Sequence, residues 1–267
     1  MAQEVFREGL LAGRTAFITG GSSGINLGIA EAFVKAGAKV TINGRNVEKL
    51  EAAVKGLQAH GTALGVAADV RQYDALDKAI RTARDAHGEI DILVCGAAGN
   101  FPAPALGMSS NAFKSVLEID VLGTFNTCRA AFEHLRKPGA SIINISAPQA
   151  YLPMAMQSHV CAAKAGVDMI TRSLAIEWGG AGVRVNSIVP GPIDDTEGMR
   201  RLTPGEGARE KLTQILPLQR FGTKQDIAQL ALFLSSDAAS YITGSLMVCD
   251  GGQSLLGSGL LLQSLGL

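Results

Sequence analysis

The chain has 267 residues, 47% of them hydrophobic, and its 24 Lys plus Arg balance its 24 Asp plus Glu. That length and apolar share suit one large buried core, and the charge balance excludes a basic nucleic-acid surface or a long charged tail. Cys95, Cys128, Cys161 and Cys249 lie far apart with no metal spacing, so they are expected to be reduced core thiols of a cytoplasmic protein. No basic-then-apolar leader and no apolar run of membrane-spanning length is present, so neither a secretory route nor a membrane partner is expected.

The first predicted element is a short apolar strand, Ala16–Ile18, of the kind buried on both faces of a parallel sheet. It runs into the turn Thr19-Gly20-Gly21-Ser22-Ser23-Gly24. From Ile25, apolar residues at Ile29, Ala32, Phe33 and Ala36 predict a helix that ends at Gly37. Together these form a phosphate cradle: glycines let the backbone approach a pyrophosphate, and the helix end directs N–H groups at it. A tight turn without a ligand is the alternative. A second strand, Lys39–Asn43, ends at Gly44-Arg45-Asn46. An NAD-selective site would carry an acid there for the ribose hydroxyls. Arg45 stands in the neighbouring place, and a guanidinium fork suits a 2′-phosphate, so NADPH is expected. The alternative for Arg45 is a solvated surface residue.

Val47–His60 reads as a helix, and Ala63–Ala68 as a third strand leading to Asp69-Val70. Tyr73–His87 is a helix with Leu76, Ala79, Ile80 and Ala83 inward, and Asp91–Val94 is a fourth strand. A single long helix is predicted over Ser110–Arg136, with Asp120 in its apolar middle. Strand Ile142–Ile145, helix His159–Trp178 with Lys164, and strand Arg184–Val189 follow, ending in Pro190-Gly191-Pro192-Ile193. The polar, glycine-containing stretch from Asp194 to Gly207 begins an expected substrate lid over 194–218. A helix over Lys224–Ser235 and a strand over Ser245–Val248 precede Asp250-Gly251-Gly252. The apolar but Gly- and Ser-interrupted Leu255–Leu267 reads as a subunit-contact tail. Strand and helix alternate with no linker or repeat, which predicts a single α/β domain over 1–267, a doubly wound parallel sheet.

The spacing Thr19-Gly20-x-x-x-Gly24-Ile25 resembles the short-chain dehydrogenase/reductase family, and the resemblance runs from about Leu11 to Gly252. It implies a cofactor site of Gly20, Ser22, Ser23, Gly24 and Ile25, then Arg45, Asp69 and Val70, then Ala97, Lys164, Pro190, Gly191, Ile193 and Thr196. Asp69 would contact the adenine. Three departures stand out. Asn26 replaces the third motif glycine. Where the family usually has Asn-Asn-Ala-Gly, this chain has Cys95-Gly96-Ala97-Ala98-Gly99-Asn100, which keeps the small residues and loses both asparagines. Of the usual Asn, Ser and Tyr-x-x-x-Lys set, only Lys164 is kept, with Val160 at the tyrosine position, Ala147 at the serine and Asp120 at the asparagine. Ser146, Tyr151 and His159 lie nearby but off the usual positions.

Two readings follow: a nucleotide-binding scaffold without catalysis, or a reaction that needs no tyrosine. Ketone reduction places charge on an oxygen that must be stabilised and protonated. In a conjugated thioester, hydride adds to a remote carbon and the proton goes to carbon. The stretches Cys95–Phe101, Ile119–Asn126, His159–Ala165 and Pro190–Gly198 resemble the peroxisomal-type 2,4-dienoyl-CoA reductases, which share these departures. That resemblance implies NADPH-dependent reduction of 2,4-dienoyl-CoA to a 3-enoyl-CoA. Asp120 and Lys164 would be catalytic and hold a proton-donating water, with Lys164 also binding the nicotinamide ribose. The acyl-CoA would meet Arg71, Phe101, Ser109, Asn111 and Arg201, and four copies would pack through the long helices. The ending Ser264-Leu265-Gly266-Leu267 is not the peroxisomal tripeptide, which points to a cytoplasmic, bacterial counterpart. An atypical NADPH-dependent carbonyl or enoyl reductase is the alternative enzyme. Simple pairing with a buried lysine is the structural alternative for Asp120.

Overall fold

The computed structural model describes residues 5–196, 199–200 and 206–257. Seven strands form one parallel sheet: β1 (Thr15–Thr19), β2 (Lys39–Gly44), β3 (Ala63–Ala67), β4 (Ile92–Cys95), β5 (Ser141–Ile145), β6 (Arg184–Pro190) and β7 (Leu246–Cys249). Their order is β3-β2-β1-β4-β5-β6-β7, so the direction of winding reverses between β1 and β4. A crevice opens at that reversal, beyond the carboxyl ends of the strands, and ligands of such sheets bind there.

The period-2 alternation of the strands divides the core in two. Ala16 and Ile18, with Ile92 and Val94, face α1 (Gly24–Lys35), α2 (Val47–Gln58) and α8 (Lys224–Ser235). Phe17, Leu93 and Cys95 face the other way, onto α3 (Tyr73–His87), α5 (Gly123–Ala131) and α6 (Ser158–Trp178). The remaining helices are α4 (Ser110–Leu117) and α7 (Glu206–Ile215). Both faces of the sheet are covered, which is why its strands read as continuous apolar runs.

The expected strands and helices are present with ends shifted by a residue or two, save one. Ser110–Arg136 is not a single helix. α4 gives way to a π-helical turn, Glu118–Leu122, before α5, and the segment ends in the 3-10 turn Phe132–His134. The apolar spacing continues through the break, so a 3.6-residue pattern carries no sign of it. Single π turns within α-helices are frequent at functional sites, and this one contains Asp120.

The expected lid is described only in part, since residues 197–198 and 201–205 lie outside the described residues, as does Arg201. What is described of it is anchored. Asp194 takes both guanidinium nitrogens of Arg209 at 2.7 and 2.6 Å, and Lys224 Nζ lies 2.7 Å from Asp195 Oδ2. The tail beyond Gly257 lies outside the described residues as well. Among the described residues no helix is long and apolar enough to cross a membrane.

Candidate active site

The crevice is a cleft of roughly 1330 Å³ across the carboxyl ends of β1, β4, β5 and β6. Its first wall is the turn between β1 and α1, contributing Gly20, Ser22, Ser23, Gly24 and Ile25. Gly20 and Gly24 have φ of +67° and +59°, a region open to glycine at little cost. Ser23 occupies the N-cap position of α1 but makes no side-chain cap bond, and the first turn carries no acid. The leading N–H groups of α1 are thus left for an anion, so the residues present fit a dinucleotide pyrophosphate.

The ends of β2 and β3 add Arg45, Asp69, Val70 and Arg71. Arg71 grips Asp69 through Nη2 at 2.6 Å and through Nε at 3.0 and 3.1 Å. That grip holds the Asp69 carboxyl below the usual carboxylate range. Arg45 is the looser cation: Nη1 is 4.0 Å from Asp69 Oδ2 and the side chain is 59% exposed. Its guanidinium is therefore available to a phosphate at this corner.

Ala97 and Phe101 line the cleft from the loop after β4, and Pro190, Gly191, Ile193 and Thr196 from the end of β6. Ser109 and Asn111 do not line it. The Ser109 hydroxyl instead caps α4, accepting from Ala112 N at 3.1 Å, and Asn111 is exposed on the first turn. Capping explains a serine there without a ligand.

Lys164 lines the cleft from α6. Its Nζ donates to Ile145 O at 3.1 Å and lies 3.1 Å from Asp120 Oδ2. Asp120 is 1% exposed and stands behind Lys164 rather than on the cleft wall. Its Oδ1 accepts from Gly99 N at 2.7 Å, while Oδ2 has the ammonium as an ion-pair partner but no aligned hydrogen bond. The pair ties the π turn, α6 and the loop after β4 together.

The positions where a reductase would carry hydroxyls are filled otherwise. Ala147 lines the cleft. Val160 is buried with Val116 and Ala163, with Phe101, Leu117 and Val121 against them. Two further polar groups were not assigned from the sequence. Ser146 lines the cleft with a buried hydroxyl that has no aligned partner. Asp168, one turn beyond Lys164 on α6, is 4% exposed, and Ser187 Oγ lies 3.3 Å from its Oδ1. Burial pushes its carboxyl above the usual range, while the hydroxyls of Ser146 and Ser187 oppose the shift. The i, i+4 spacing from Lys164 was the available signal. His159, off the usual positions, is fully buried with its ring centroid 4.4 Å from that of Phe101, so it backs a cleft residue from inside.

Residues 20–254 match the family model described as Enoyl-(Acyl carrier protein) reductase. The (3E)-enoyl-CoA-producing peroxisomal 2,4-dienoyl-CoA reductase of Danio rerio is 45% identical over 251 residues, covering 93% of this chain and 84% of that protein. The chain belongs to the short-chain dehydrogenase/reductase family. A Bacillus subtilis protein named as a probable (2E)-enoyl-CoA-producing 2,4-dienoyl-CoA reductase is 42% identical, covering 91% of this chain and 97% of its own. The crystal structure of a short chain dehydrogenase from Bacillus anthracis superposes with a TM-score of 0.81 at 41% identity, covering 90% of this chain and 96% of that one. As a short-chain dehydrogenase/reductase, the chain is an oxidoreductase that uses a nicotinamide cofactor.

Proposed function

We propose that the chain reduces 2,4-dienoyl-CoA thioesters to (3E)-enoyl-CoA with NADPH. The observation that carries this reading is the buried Asp120–Lys164 pair, with Ala147 on the cleft wall and Val160 buried where hydroxyls would serve a ketone. The relatives named as dienoyl-CoA reductases support it.

NADPH, when bound, supplies hydride to the δ-carbon of the substrate. The cradle at Gly20–Ile25 would hold the pyrophosphate and Arg45 the 2′-phosphate. Lys164 would face the nicotinamide ribose and the reacting thioester. Hydride addition leaves negative charge on the thioester oxygen, and a cation in a partly dry cleft stabilises such charge. Product forms when the α-carbon takes a proton. Lys164, backed by Asp120, would hold the water that delivers it. Arg71 and Phe101 would meet the acyl-CoA at the cleft mouth.

Leu117, Val121, Leu122, Phe125 and Ile170 form an exposed apolar groove on α4, the π turn, α5 and α6. Packing that groove against other copies would give the expected cytoplasmic homotetramer, with a mass in light scattering of about four chains.

The decisive assay follows NADPH oxidation with a 2,4-dienoyl-CoA, a 3-ketoacyl-CoA and a 2-enoyl-CoA, and identifies the dienoyl product. Protonation at the α-carbon gives the 3-enoyl product, and protonation at the γ-carbon gives the 2-enoyl one. Turnover of the ketone alone would favour a carbonyl reductase. Cofactor binding without turnover of any would favour a scaffold, and a 2-enoyl product would move the proton donor to the γ-carbon.

A further inference from the structure

Asn26 lies in the first turn of α1 and is 8% exposed. Its Nδ2 donates to Gly96 O at 2.8 Å and reaches Gly20 O at 3.4 Å. Two carbonyl oxygens on that side fix the amide's orientation, because a reversed amide would set three acceptors together. Gly96 is held from its other side too, since its N–H donates to Thr19 Oγ1 at 3.0 Å. One side chain from α1 and one from β1 thus fix the peptide groups of a loop that follows β4.

The contact leaves no room for another side chain. A Cβ added to Gly96 would lie 2.2 Å from Asn26 Oδ1 and 2.4 Å from both Cγ and Nδ2. A Cβ on Gly20 would lie 3.0 Å from Ala97 Cα and 3.1 Å from Asn26 Nδ2. The arrangement also leaves Asn26 Oδ1 buried without a partner, which costs stability. Core packing alone gives no reason to accept that cost. Gly20, Asn26, Gly96 and Ala97 all line the cleft, at the reversal between β1 and β4.

We infer that Asn26 is a positioning residue for the bound dinucleotide, tying the glycine turn to the loop after β4, and that Gly96 is glycine because Asn26 occupies the place of its side chain. The two departures from the family's usual sequence are then one exchange. The glycine absent at Asn26 reappears at Gly96, and the amide absent from the loop after β4 is supplied from α1. This inference rests on the reading of the cleft as a dinucleotide site and is independent of which acyl thioester is reduced.

The test titrates NADPH and NADH separately by fluorescence, without substrate, and records Tm for each variant. Asn26→Asp keeps the shape but removes the donor that faces two carbonyls. It should weaken both dinucleotides by about tenfold, the effect of leaving a buried carbonyl unpaired. Gly96→Ala should weaken them by about tenfold or more through overpacking. The double variant Asn26→Gly/Gly96→Ala should bind more tightly than Gly96→Ala alone, since residues in contact are not additive. If Asn26→Asp does not fold, Asn26→Gly takes its place, with weakening of about fivefold expected for a lost hydrogen bond. Unchanged dissociation constants in the Asn26 variants, with or without a fall in Tm, would overturn the positioning role. So would a double variant no better than Gly96→Ala, or a wild type that binds neither dinucleotide. A wild type that binds NADPH but leaves dienoyl-CoA untouched would count against the proposed reaction and not against this one.

Discussion

Asp91 and Asp120 are both 1% exposed, and they sit at opposite ends of one sheet. Asp91 precedes β4 at its amino end. It accepts from Thr15 N at 2.8 Å and from Arg136 Nε, with Arg14 Nη1 at 3.7 Å. Asp120 lies beyond the carboxyl ends, with one amide on Oδ1 and only the Lys164 ammonium at Oδ2. Asn26 Oδ1 and both His159 nitrogens, also at that end, are buried without partners. Among the described residues, His87 Nε2 before β4 and Thr41 Oγ1 within β2 are the ones so placed away from that end. Buried polar groups are normally satisfied within the protein. One end of the sheet follows that rule and joins its elements firmly. The other leaves hydrogen-bonding capacity uncommitted where a ligand is expected.

The contrast breaks if the two aspartates respond alike to removal. Asp120→Ala should lower kcat for a 2,4-dienoyl-CoA by about 10²–10⁴-fold, the range for lost acid–base catalysis, with NADPH affinity retained. Near-normal turnover would leave Asp120 with only its structural part. Asp91→Ala should do the reverse. It strands the buried Thr15 N–H and removes the partner of a half-exposed Arg136, a loss of about 1–3 kcal/mol. Urea unfolding should report that loss, while kcat per folded molecule stays close to wild type. A large fall in kcat at unchanged stability would show that the amino end is not merely structural.

Two smaller effects sharpen the picture at the cleft edge. Arg45→Ala should cost NADPH about 1.5–3 kcal/mol of binding, as expected for a charge-assisted contact, and NADH much less. Equal losses in paired titrations would mean that Arg45 does not read the 2′-phosphate. Asp226 opens α8 in a capping box with Thr223 and takes Arg220 at 2.9 and 3.1 Å. The Arg220 bonds hold its carboxyl down to about 2. A carboxylate depressed in the folded state stabilises it above the unfolded value of 3.8, and that contribution is lost as pH falls through about 2. Asp226→Asn should lower stability at neutral pH by about 0.5–2 kcal/mol, as for a lost cap. It should also flatten the acid limb of Tm against pH between 3.8 and about 2. An unaltered acid limb would assign it to other carboxylates.

Much of the fold was legible because its signals are local. α3 spans Tyr73–His87 as expected, since Leu76, Ala79, Ile80 and Ala83 repeat at helical spacing and all four are buried. The glycine turn declared itself by composition, and the expected cradle residues line one cleft. The Asp120–Lys164 pair was reached by resemblance and is present at 3.1 Å. What escaped was long-range or without a pattern. The Asn26–Gly96 contact joins residues 70 apart, and neither one alone suggests the other. Ser109 was expected at the substrate and is a cap. The π turn leaves the apolar spacing intact, so the helix around Asp120 looked continuous.

That π turn has a consequence for phase. Each residue of an α-helix advances the side-chain direction by about 100°, and a turn closed by i→i+5 bonds accommodates a residue that a regular turn cannot. Upstream, Val116 is directed into the Val160 cluster. Downstream, Asn126 Nδ2 donates to Val70 O at 3.0 Å, and a Cβ on Gly123 would lie 2.6 Å from Val70 Cγ2. Both orientations are required at once, and the wider turn supplies the offset between them. Removing one residue from Glu118–Leu122 would restore a regular helix and rotate Gly123 and Asn126 away from Val70, or else Val116 away from its cluster. The widened turn therefore acts as the phase-setting link between a segment packed on the Val160 cluster and one that seats against Val70.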